Sequence, residues 1–194
     1  MDLTLSTLLA LARLTVQSPR EGARAVLRLP LPGNARWVAL LLLAVISAIL
    51  MQVMAILLPP VTPDGTPVTP VGPFFWTGMV AGGMVLTTVL VYRIGKWRGG
   101  VGRFEEALIL VVWLQFIQLL LVMVQLVLLF ILPPLATLVE VVAVALFLWL
   151  LTNFVAELHR FRSLGLVFLG VILTFVAAVL VMSVLLMPFL SMGV

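Results

Sequence analysis

The chain has no cysteine, one histidine, one tyrosine and few charges: only 9% of its 194 residues are Asp, Glu, Lys or Arg. Without cysteine there are no disulfides, no thiolate nucleophile and no thiolate metal site. One histidine, His159, and scattered acids do not make a zinc site from ordinary ligands. No Ser–His–Asp spacing, phosphate loop or dinucleotide fingerprint appears, so no metal or cofactor is expected and an enzyme is the least favoured class. The start, Met1-Asp2-Leu3-Thr4, carries an acid and no basic run, which argues against a cleaved signal peptide. What abounds is apolar: 64% of the residues are hydrophobic and the mean hydropathy is +1.34. Soluble domains carry about 45–50% apolar and about 25% charged residues. A water-soluble fold of this size has no interior large enough for the excess, so lipid is the expected solvent.

A hydrocarbon core about 30 Å thick is crossed by roughly 20 apolar residues in helix. Five runs meet that requirement: 37–58, 74–92, 107–132, 135–156 and 164–190. None alternates with a period of two, which excludes a membrane β-barrel. A helix satisfies every backbone amide internally, as hydrocarbon demands. Pro59, Pro60, Pro63, Pro67, Pro70 and Pro73 make the first connection an extended loop. Pro133 and Pro134 make a tight hairpin of the third. The fold class is thus all-α, a polytopic membrane bundle of five transmembrane helices, with residues 1–36 as a short amphipathic segment ahead of a 37–194 membrane domain.

The formal charge is +4, and all eleven Lys and Arg lie in three places. Five (Arg13, Arg20, Arg24, Arg28, Arg36) precede the first span, four (Arg93, Lys96, Arg98, Arg103) follow the second, and Arg160 and Arg162 follow the fourth. The remaining connections and the C-terminus have none. The positive-inside rule then puts the N-terminus in the cytoplasm and the C-terminus in the periplasm of an inner membrane. The cations read as topology signals and contacts to anionic lipid headgroups at the cytoplasmic face, not as a nucleic-acid surface. Trp37, Trp76 and Trp97 stand at run ends, where interfacial aromatics collect.

Two short helices are expected before the first span. Leu3 to Val16 is apolar nearly all round but too short to cross, so it lies in the interface or packs on the bundle. In the second, Ser18 as N-cap, Pro19 at the first position and Glu21 at the third spell a capping box. Arg20, Arg24 and Arg28 follow at four-residue intervals on one face, the pattern of an amphipathic helix on an anionic leaflet. With Arg98 and Arg103 they are the candidate headgroup or partner contacts.

Polar groups within spans are functional candidates by default. Gln115, Gln118 and Gln125 share a face of the third span, and act either as interhelical glue or as the lining of a polar pathway. Glu140 is the one acid well inside a run, a snorkelling interfacial group or a cation site. Glu105 and Glu106 suit the positive end of the third span's dipole and can pair with Arg103 or with the basic N-terminal helix. His159, beside Arg160 and Arg162, reads as an extension of a cationic loop end. Gly78, Gly82 and Gly83 form a small-residue packing face on the second span.

Three stretches taken together suggest a family: Ser18-Pro19-Arg20-Glu21 opening the amphipathic helix, Gly95-Lys96-Trp97-Arg98-Gly99-Gly100-Val101-Gly102-Arg103-Phe104 leading into the third span, and Trp149 to Leu164, with Glu157-Leu158-His159-Arg160-Phe161-Arg162-Ser163, joining the fourth and fifth. Over roughly residues 15–190 the layout resembles the bacterial branch of the Yip domain family, whose eukaryotic members are named for interaction with Ypt/Rab GTPases. The resemblance implies a five-helix membrane domain and a non-enzymatic role. Eukaryotic relatives act in vesicle trafficking and organelle shaping. Bacteria lack that pathway, so the GTPase partner does not carry over. The eukaryotic Asp-Leu-Tyr-Gly-Pro type motif is absent; Gly72-Pro73-Phe74-Phe75-Trp76 echoes part of it, ahead of the second span instead of the first.

Two roles follow as expectations. One is a scaffold or membrane-organising protein that binds lipids, other membrane proteins or a second copy of itself. The other is a transporter, channel or lipid-translocating protein using a polar groove around the third span. No internal repeat of the kind common in secondary transporters is visible. The charge partition predicts that a tag fused to Val194 is shielded from a membrane-impermeant reagent applied to the cytosolic side. Labelling from that side would reverse the orientation.

Overall fold

A computed structural model of the chain describes residues 4–58, 65 and 72–191, with side chains of the last helix followed as far as Leu180. The described residues form seven α-helices and no strand: α1 Leu5–Gln17, α2 Pro19–Leu27, α3 Gly33–Leu57, α4 Pro73–Trp97, α5 Phe104–Ile131, α6 Pro133–His159 and α7 Leu164–Ser191. The proline-rich connection expected between α3 and α4 lies outside the described residues, apart from Gly65 and from Pro73, which is not loop but the first residue of α4.

Among the described residues, four helices, α3 to α6, are long and apolar enough to cross a membrane. Their 25–28 residues rise about 38–42 Å, more than the hydrocarbon core requires. The count of five spans is met only in part. The described apolar stretch of α7, Leu164–Leu180, is shorter, although its backbone stays helical to Ser191. Pro73 and Pro133 each occupy the opening turn of a helix, where the missing N–H costs no bond and the fixed φ suits the start. Thr77, Thr87, Thr88, Thr152 and Thr174 each turn a hydroxyl back onto the carbonyl four residues earlier, so their polar groups are satisfied within the helix.

Helix α5 is the axis of the bundle. Of its apolar window 56% is buried, against 11–28% for α3, α4 and α6. One side carries Leu108 and Val111 against Leu40 of α3 and Met84 of α4. The other carries Ala107, Leu110, Trp113 and Leu114 against Leu150, Phe154 and Leu158 of α6. Helix α7 packs on α6, with Val167 against Val155 and Ala156. The glycine face of α4 is not used in this packing. A Cβ added at Gly78, Gly82 or Gly83 would meet no other atom within 4 Å.

The N-terminal hairpin belongs to the same core. Ala23 and Val26 of α2 are fully buried with the α5 and α6 side chains. Ser18 is the single joint between α1 and α2. Its N–H closes α1 on Leu14 O at 2.7 Å, and its own carbonyl accepts from Gly22 at 2.9 Å. The predicted capping box does not form there. Ser18 is the N-cap and Pro19 the first residue, but the backbone that ends α1 holds Ser18 at φ −139°, ψ 78°, and its side chain caps nothing. Gly22 lets the two helices cross closely, since a Cβ would lie 2.6 Å from the Thr15 backbone.

Thr15 fastens this hairpin to α5. It is fully buried. Its hydroxyl donates to Leu11 O at 2.8 Å and accepts from the indole Nε1–H of Trp113 at 3.0 Å. Thr15→Val keeps the shape and orphans a buried indole N–H, a loss of about 1–3 kcal/mol. It is expected to lower the midpoint of unfolding in a denaturing-detergent titration. An unchanged midpoint would remove the hydrogen bond as the fastener.

Candidate functional site at the basic end

The basic end of the bundle is built from two helix C-termini that stop in the same way. Helix α4 ends with Gly99 at φ 83°, Gly100 N–H on Gly95 O at 2.8 Å, and Gly99 N–H on Lys96 O at 3.0 Å. Helix α6 ends with Arg160 at φ 57°, Phe161 N–H on Ala156 O at 2.8 Å, and Arg160 N–H on Glu157 O at 3.3 Å. Both are Schellman turns, which satisfy the last carbonyls of a helix through one left-handed residue. Glycine takes that conformation freely. Arginine takes it against a steric penalty of about 1–2 kcal/mol, held by the surrounding packing.

His159 lies between the two turns and is 2% exposed. The cationic-loop reading of this residue is overturned. The Gly102 N–H donates to Nδ1 at 3.3 Å, and Nε2 faces the Val91 carbonyl at 3.1 Å. An Nδ1 that accepts carries no proton, so the hydrogen sits on Nε2 and the ring is neutral. Phe161 stacks on it with centroids 5.4 Å apart and planes at 25°. Three glycines make the space. A Cβ on Gly95 or Gly100 would overlap the imidazole itself, and one on Gly102 would sit 2.6 Å from Leu158 Cγ. The glycine-rich loop is therefore a mould around this ring. A lone histidine near four closely spaced glycines was the available signal, but 57–68 residues of chain separate the ring from its partners.

The loop then opens α5. Arg103 is the N-cap, and its N–H is taken by the Glu106 carboxylate at 2.8 Å. Glu105 sits 3.6 Å from the Arg103 guanidinium. Phe104 is flanked by Trp37 of α3 at 6.3 Å and Tyr92 of α4 at 5.9 Å between centroids.

The five candidate arginines fall into different settings. Arg24 reaches from α2 to Glu157 of α6 in a two-pronged pair, Nε to Oε1 at 2.6 Å and Nη2 to Oε2 at 3.2 Å. The Glu157 hydrogen bond and charge raise the Arg24 pKa further above its ordinary value. Arg20 is half-buried, with Nε and Nη2 sequestered and unpartnered among the described residues. Arg28, Arg98 and Arg103 are exposed at this end, with Arg93, Lys96, Arg160 and Arg162.

The intramembrane polar residues do not converge. Gln115 donates to Ser47 Oγ of α3 at 3.0 Å. Gln118 donates to the Ala143 carbonyl of α6 at 3.2 Å. Gln125 is half-buried, and Glu140 lies exposed on the outer face of α6 beside Val141 and Val142. The space between α5 and its neighbours at Val91, Leu110, Leu114 and Phe154 is about 10 Å³, room for at most about one water. Among the described residues no group of three or more His, Asp or Glu could hold a metal ion.

Long apolar helices, self-satisfied hydroxyls and amide ties between helices define an all-α polytopic membrane protein. The Yip1 domain family model matches residues 13–186, and the chain belongs to that family. Comparisons with curated proteins and with solved structures give no match.

Gly95→Ala should cost about 1–3 kcal/mol of stability by overpacking. Combined with His159→Ala, it should cost less than the sum of the two single changes by more than about 0.5 kcal/mol. Additive losses in the same denaturing-detergent titration would mean that the glycines do not serve the ring.

Proposed function

We propose that this Yip1-family protein crosses a bacterial inner membrane five times and acts without catalysis, as a membrane-organising scaffold whose basic end faces the cytoplasm. That end would engage anionic headgroups and neighbouring membrane proteins, or a second copy of the chain. The observation that carries the reading is a division of labour among polar groups. Gln115 and Gln118 are spent on ties to α3 and α6. Arg28, Arg98 and Arg103 are left exposed around one rigid end. Amide ties of this kind pack helices together instead of lining a path. Exposed arginines beside a membrane draw anionic lipids by charge. Of the candidate contacts, Arg28 and Arg98 have the freest guanidinium groups, because Arg24 is engaged by Glu157, Arg103 stands 3.6 Å from Glu105 and Arg20 is turned inward. The cytoplasmic assignment rests on the partition of basic residues.

The reading is tested by photo-crosslinking from positions 28, 98 and 103 in native membranes, followed by mass spectrometry. Discrete membrane-protein or self adducts are expected, and they should fade when the three arginines are changed together to Gln. In proteoliposomes, solute or lipid flux should be unchanged by Gln118→Leu. Protein-dependent flux that falls with Gln118→Leu would replace the scaffold with a carrier.

A further inference from the structure

Helix α1 does not seal against the bundle along its whole length. Beyond the Thr15–Trp113 contact, a groove of about 340 Å³ opens between α1 and α5. That volume is at the lower end of the range of ligand sites, about 300–1,000 Å³. Leu120, Leu121 and Val124 of α5 and Val16 of α1 wall it, and Arg13 and Gln17 stand on the α1 side. Arg13 and Gln17 are four residues apart, so they share one edge of the helix.

Three observations say what fills it. The walls are almost wholly apolar, and in a bilayer the apolar occupant at hand is an acyl chain. The groove also lies deep. Trp113 is nine residues past Phe104, about 13 Å along α5 from the helix start, and the groove continues beyond it to Val124. Finally, Arg13 is exposed and makes no ion pair among the described residues, while Leu5, Leu9 and Val16 are exposed on the same helix. A cation in apolar surroundings at that depth calls for an anion brought to it. A phospholipid supplies both parts, a tail for the groove and a phosphate for the guanidinium.

We propose that the α1–α5 groove is a binding site for one anionic phospholipid, its acyl chain along Leu120, Leu121 and Val124 and its phosphate on Arg13. The site is separate from the exposed arginines of the basic end and requires only that the chain is embedded in lipid.

Native mass spectrometry of the full chain from nanodiscs tests it, using equimolar phosphatidylglycerol and phosphatidylcholine of the same acyl composition. One retained phosphatidylglycerol per chain is expected, favoured at least tenfold over phosphatidylcholine. Arg13→Gln should erase the preference, and Arg13→Lys should keep most of it. Val16→Phe, at a position 40% exposed, should fill the groove and cut retention at least tenfold. Leu121→Phe fills it from the opposite wall and is read in the same way, with circular dichroism confirming the fold of each. Equal retention of both lipids by the wild type would overturn the site. So would retention unchanged in folded groove-filling variants, or a dimer of chains that Val16→Phe dissociates in place of a lipid.

Discussion

An imidazole ring enclosed by glycine backbone holds the basic end of this bundle together. His159 fills the volume between α4, the 98–103 loop and α6 that Gly95, Gly100 and Gly102 leave, and both its nitrogens are spent on main-chain groups. Close packing of this kind tolerates neither a gap nor an extra methyl group. The ring sets how near the α4 and α6 ends approach. That distance sets where the loop delivers Arg103 and where α5 begins. Since α2, α3, α4 and α6 all pack against α5, an error at the ring would be propagated along the axis.

The N-terminal hairpin completes this arrangement from the other side. In a bilayer no hydrophobic force drives helices together, so association rests on fit and on polar ties. The hairpin has both. Ala23 and Val26 fit against α5 and α6, and the Thr15–Trp113 and Arg24–Glu157 bonds tie it at two levels. Glu157 precedes His159 by two residues on the same helix end. The clasp to the hairpin and the mould around the ring therefore stiffen one and the same turn of α6.

Local rules were legible in the sequence, and distant ones were not. The helices follow from hydropathy, the start of α2 from Pro19, and the place of Glu105 and Glu106 from the dipole of α5, with Arg103 as one of two partners the sequence offers; Pro73 and Pro133, which read as loop and hairpin residues, instead open α4 and α6. The sequence pattern places a capping box at Ser18, where the letters fit but the backbone is already committed to ending α1. Its reach-back bond forms at Arg103 instead, where Glu106 covers a free N–H. His159 looked like a surface cation because its neighbours in sequence are arginines. Its neighbours in space come from residues 91–102 and Phe161, and no window on the chain contains them all. The three glutamines did sit on related positions of one helix. A 60° difference in bearing between Gln115 and Gln118 is enough to send one to α3 and the other to α6.

The joint at Ser18 has a consequence of its own. One residue finishes one helix and starts the next, with no intervening link to absorb a change of direction. Helices α1 and α2 must then pivot as an elbow set in plaster: whatever displaces the first drags the second. At this corner the count of residues matters more than their identity. Inserting a single alanine would rotate one arm by about 100° about its own axis, and would unseat the hairpin more thoroughly than any substitution of the serine.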